Sequence, residues 1–124
     1  MDISKTPSQW QIKAWQSRVA AHGCVATGEP FAFHLHHVVG RSRRVRVGME
    51  MVHVGEWFII PLAVELHDVG SNHPDNVTHF PKRFREKYGL QADLFVEMCE
   101  ELERRGGALP FPAIILEAIK TLKV

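Results

Sequence analysis

The sequence predicts a small α+β domain in which a helix, a β-hairpin and further helices share one core. Three observations carry this. Apolar residues recur at helical spacing near the N-terminus (Ile12, Trp15, Val19) and twice in the C-terminal part (Leu94, Met98, Leu102, then Ile115, Ala118, Ile119, Leu122). Between them lie two runs rich in aromatic and β-branched residues, 31–39 and 52–60. The chain has 124 residues, 45% hydrophobic and 23% charged, which suits a single domain spanning 1–124.

Thr6 and Pro7 read as an N-cap and first helical residue, which predicts a helix over 7–22 ended by Gly23. Trp10 and Trp15 read as packing residues of that helix. Residues 24–30 form a turn. The strand at 31–39 is interrupted by the basic loop Gly40-Arg41-Ser42-Arg43-Arg44, and the strand at 52–60 ends at Pro61. The two make a hairpin with a long, arginine-rich connection. Residues 66–78, punctuated by Gly, Ser, Asn and Pro, read as a loop; one this long in a small domain is usually functional or disordered. Pro81 starts a helix that Gly89 closes, and the Leu94 seam belongs to a helix ended by Gly106-Gly107. Glu97, Glu100, Glu101 and Glu103 read as its solvated face. Pro110-Phe111-Pro112 introduces the last helix. A ββα core at about 24–89 is thus followed by C-terminal helices over about 91–123.

Several function classes drop out. No apolar run reaches the roughly 18 residues a membrane span requires, and the first residues lack both a basic leader and an apolar signal core. Cys24 and Cys99 are too few for a disulfide framework or a four-thiolate zinc site, so a reducing, cytoplasmic setting is expected and both read as small buried hydrophobes. No phosphate-binding glycine loop, nucleophile elbow or dinucleotide fingerprint occurs. The net charge of +1 hides an asymmetry. Residues 1–49 set seven Lys/Arg against Asp2 and Glu29, a net +5, and the remainder carries −4. A local basic surface is therefore expected without a uniformly basic protein.

Eight histidines stand out. Neighbouring strand residues face opposite ways, so His36 and His37 share a site only at a strand end or bend, one free to hold a metal and the other to act as a base. His67, with His73 and His79 on the loop that follows it, adds the inventory of a mononuclear site with an open position. His34 faces the same way as His36 and reads as a packed residue; His22 and His53 read as incidental.

The motifs Phe33-His34-Leu35-His36-His37-Val38-Val39-Gly40-Arg41, Trp57-Phe58-Ile59-Ile60-Pro61-Leu62, His67, His79 and Phe84-Arg85-Glu86-Lys87-Tyr88-Gly89 together resemble the HNH, or ββα-metal, endonucleases over about residues 24–95. The resemblance is nearest to the phage recombination-nuclease group typified by Ref. It implies a metal-dependent DNA endonuclease or nickase acting in phage DNA recombination or processing within a bacterial host, with His37 as general base. His36, His67 and His79 would ligate one divalent ion, with His73 the competing choice for the last place. A recombination or other DNA-processing protein is the implied partner beside DNA. The sequence departs from the pattern where related chains carry Cys-x-x-Cys and a cysteine after the Pro-Leu pair, here Cys24-Val25-Ala26-Thr27 and Ala63. It also lacks the asparagine that orients the base.

The residue types suit that chemistry. A neutral imidazole with an unperturbed pKa of about 6.5 accepts a water proton near neutral pH. A divalent ion (Zn, Ni or Mn, with Mg preferring oxygen ligands) polarises the phosphate and neutralises the leaving oxygen. Arg41, Arg43, Arg44 and Arg46 follow the base and match phosphate oxygens by their guanidinium forks, while Lys82, Arg83, Arg85 and Lys87 form a second basic cluster. A metal-stapled DNA-binding module without catalysis is the alternative.

Overall fold

Ser8, not Thr6, opens the first helix, α1 (Gln9–Ala20), in the computed structural model, which describes residues 1–124. The Ser8 hydroxyl accepts from the Gln11 N–H at 3.2 Å, and the Gln11 side chain accepts from the Ser8 N–H at 2.9 Å. This reciprocal pair satisfies two donors at the helix end, which a Thr6-Pro7 start does not. Helix α1 buries Ile12, Trp15 and Val19 and gives way at Gly23 (φ +81°). Trp10 is 78% exposed, so the expectation that it packs like Trp15 is corrected: it lies off the buried stripe.

Strands β1 (Phe33–His37) and β4 (Ile59–Ala63) pair antiparallel, with His36 opposite Ile60 and His37 opposite Ile59. Their connection contains a second hairpin, β2 (Arg44–Val47) and β3 (Glu50–His53), turned by Gly48-Met49 with Gly48 at φ +60°. The single strand expected over 52–60 is therefore two half-strands divided by a turn at 54–58. Apolarity conceals the division, since Val52, Val54, Trp57, Phe58, Ile59 and Ile60 are all buried, in strand and turn alike. The turn depends on Gly55, where a Cβ would stand 2.1 Å from the Arg41 carbonyl oxygen. Pro61 does not end the strand but lies within β4, opposite Leu35; it has no N–H to offer a ladder, and its carbonyl accepts from Val25 N–H at 3.0 Å.

A one-turn helix, α2 (Val64–His67), follows β4 directly. It lies partly in the stretch read as loop. The rest of that stretch is held by Asn76, fully buried, whose amide donates to the carbonyls of Glu65 and Asp68 while its oxygen accepts from the N–H groups of Thr78 and His79. Helix α3 (Pro81–Tyr88) ends at Gly89 (φ +95°), and α4 (Gln91–Gly106) and α5 (Ala113–Thr121) complete the chain. Trp15 sits at the centre of the core, edge-on to Trp57, Phe95 and Phe111, and its indole N–H donates to the Trp57 carbonyl at 2.9 Å. Arg18 caps the C-terminal end of α4 by donating to the carbonyls of Leu102, Gly107 and Ala108, where helix polarity favours a cation. No helix is long and apolar enough to cross a membrane.

Candidate functional site

Strand alternation sets out the histidines of β1. His34 and His36 lie on one face and meet His67, which α2 carries back over the strand. The His34 and His67 Nδ1 atoms are 2.9 Å apart, and the His36 and His67 rings lie at a centroid distance of 4.7 Å. His67 is thus the hub of three imidazoles. Burial pushes the His36 pKa down to about 4, reinforced by the neighbouring His67 and opposed by the amide of Gln91. The His67 pKa is also lowered, by burial first and then by His34, against the pull of Asp68. Both rings are held neutral, the form that presents a lone pair to a metal.

The fourth member of the expected set stands apart. His79 is exposed and its Nε2 lies 2.7 Å from the Val69 carbonyl, while His73 Nδ1 accepts from the Asp75 N–H at 3.0 Å. No three His, Cys, Asp or Glu side chains converge in a ready-made metal-ligand group. His36 and His67 come together as expected from the sequence, and His34, read there as a packed residue, is the third imidazole beside them.

His37, the last residue of β1, engages a different partner. Its Nε2 faces Glu56 Oε2 at 3.7 Å, with side-chain exposures of only 17% and 8%. Burial lowers the His37 pKa, helped by the positive charge of Arg41 and opposed by Glu56. His53, fully buried, accepts the Glu56 N–H on its Nε2 at 3.0 Å, which fixes the turn that carries the carboxylate. Burial also lowers the His53 pKa, with Glu56 raising it and Arg44 lowering it.

The buried side-chain polar atoms left without a hydrogen-bond partner are His37 Nε2, Glu56 Oε2 and Gln91 Oε1. All three border the His36-His37 pair. Buried polar groups are nearly always satisfied, and two of these atoms, His37 Nε2 and Glu56 Oε2, face each other just beyond hydrogen-bond distance. Glu56 was missed in the sequence, although one signal was there: it is the single acidic residue in the apolar run 52–60, and a buried carboxylate needs a partner.

The basic residues line the outside. Arg41, Arg43, Arg44 and Arg46 are all exposed, the last two side by side on the outer face of β2. Lys82, Arg83 and Arg85 are exposed on α3, with Arg83 over the Phe80 ring. Lys87 is drawn away from this cluster by Asp75, 3.0 Å from its Nζ, whose hydrogen bond raises the lysine pKa. Cys24 is buried as expected but also does polar work, since its Sγ accepts from the N–H groups of Thr27 and Ala63 at 3.4 and 3.2 Å. No family model, curated protein or solved structure matches this chain.

Proposed function

We propose that this protein is a metal-dependent DNA endonuclease or nickase of the HNH kind, serving phage DNA recombination or processing. The observation that carries the reading is the meeting of His36 with His67, from a strand and a helix far apart in sequence, beside a half-buried His37 whose Nε2 is enclosed without a hydrogen-bond partner. In this reading His36 and His67 hold one divalent ion, with His34 in the place first expected for His79. An all-imidazole set suits Zn, Ni or Mn better than Mg. The ion, when bound, polarises the phosphodiester and neutralises charge on the leaving oxygen. His37 takes the proton from the attacking water. Arg41, Arg43, Arg44 and Arg46, with Lys82, Arg83 and Arg85, bind backbone phosphates and position the strand without reading its sequence.

The test is cleavage of supercoiled plasmid by the purified chain with each of Zn, Ni, Mn and Mg, with and without chelator. Nicked or linear product that disappears in chelator and in His37→Ala is expected. Intact plasmid under all four metals overturns the reading. A metal-stapled DNA-binding module is the second reading, favoured by the fact that His36 and His37 engage separate partners, His67 and Glu56. Retarded but uncut DNA would select it.

A further inference from the structure

We propose that Glu56 is the residue that positions His37 as a base. The inference rests on the nuclease reading for its catalytic meaning, and on geometry for the contact itself. Glu56 is 7% exposed, and its Oε2 lies 3.7 Å from His37 Nε2, with no other hydrogen-bond partner for either atom. A buried carboxylate without a partner is costly to keep. Closing the gap by under 1 Å satisfies both atoms at once, and catalytic contacts are often loose until substrate is bound.

The surroundings hold the carboxylate in place. Its backbone N–H is tied to His53 Nε2 at 3.0 Å, and the preceding Gly55 packs directly on the Arg41 backbone, 2.1 Å from where a Cβ would stand. The turn bearing Glu56 is thus fastened to the loop that follows His37. With Nε2–H directed at Glu56, the His37 lone pair resides on Nδ1, across the ring from the carboxylate. That nitrogen can take a proton from water, and the imidazolium so formed stays paired with the carboxylate. The logic is that of a carboxylate fixing the tautomer of a catalytic histidine.

The experiment uses the full chain with Glu56→Gln and Glu56→Ala. Nitrogen-15 NMR of the metal-free protein reads the His37 tautomer, and plasmid cleavage with Mn reads kcat and KM separately. In the wild type, Nε2 should carry the proton. In Glu56→Gln the amide group can turn to donate, which moves the proton to Nδ1. The expected result is a kcat lower by on the order of 10²–10⁴ with KM changed less than about threefold. Glu56→Ala, if folded, should show mixed tautomers and a similar loss. A wild-type His37 protonated on Nδ1, or a folded Glu56→Gln with unchanged tautomer and kcat, overturns the proposal. A tautomer change in a chain that cuts no DNA supports the Glu56–His37 contact and overturns the nuclease reading instead.

Discussion

His34, His36 and His67 make predictions that His79 does not share. Because the His79 ring is engaged at the Val69 carbonyl, His79→Ala should leave Zn or Ni affinity within about twofold of wild type. His36→Ala and His67→Ala should each weaken it by at least tenfold, and His34→Ala by a smaller but measurable factor, all read by calorimetric titration. The 2.9 Å contact between the His34 and His67 Nδ1 atoms places one hydrogen between them, so a metal taken up at either Nδ1 requires that ring to move its proton to Nε2. His36 further ties stability to pH in the metal-free protein. Its folded pKa of about 4 lies below the unfolded value near 6.5, so folding favours the neutral ring. The resulting stability is fully present above pH 6.5 and is lost as pH falls toward 4, by up to about 3 kcal/mol from this residue. His37, His53 and His67, also lowered, push in the same direction. Urea unfolding at pH 7.5 and 4.5 should show the loss, and His36→Gln should reduce it; an equal loss in that variant would clear His36 of the effect.

At the scale of elements, two residues decide whether the site is assembled at all. Asn76 closes four hydrogen bonds across the segment between α2 and α3, so Asn76→Ala should destabilise the fold by about 2–4 kcal/mol in denaturant unfolding. Loss of His67 ring order should accompany it. Gly55→Ala forces a methyl against the Arg41 carbonyl and should cost about 3 kcal/mol or more, with the Glu56 turn displaced. Neither residue stood out in the sequence. Asn76 looked like loop punctuation, because its worth lies in four backbone partners that only the folded loop supplies. The helices were far more legible. Their apolar stripes and terminal glycines placed α3, α4 and α5 to within a few residues, since periodicity and chain reversal are local properties. The antiparallel pairing of the first strand with the end of the second was legible, but not the division of 52–60, because Val54, Trp57 and Phe58 of the turn are as apolar and buried as the β4 residues beside them.

Across the whole molecule, charge is divided as the sequence implied, with the arginine loop and β2 exposed and the acidic residues mostly C-terminal. If Arg41, Arg43 and Arg44 meet phosphates, replacing all three by Ala should weaken DNA binding about equally across unrelated sequences. The log–log salt dependence on duplex DNA should flatten by about 0.9 for each phosphate that the variant no longer neutralises, with metal content unchanged. A titration at several salt concentrations, wild type beside the triple variant, reads both; an unchanged slope would move the DNA path to α3. A common place for His36 and His67 was implied only by the resemblance, whereas the α+β class, the helical stripes and the basic loop were readable along the chain, because each depends on residue type or spacing. The contacts of His34, the burial of Glu56 against His37 and the diversion of His79 to Val69 were not. These depend on where α2 and the 54–58 turn come to rest against β1, and that is set by packing between segments distant in sequence, which no local pattern encodes.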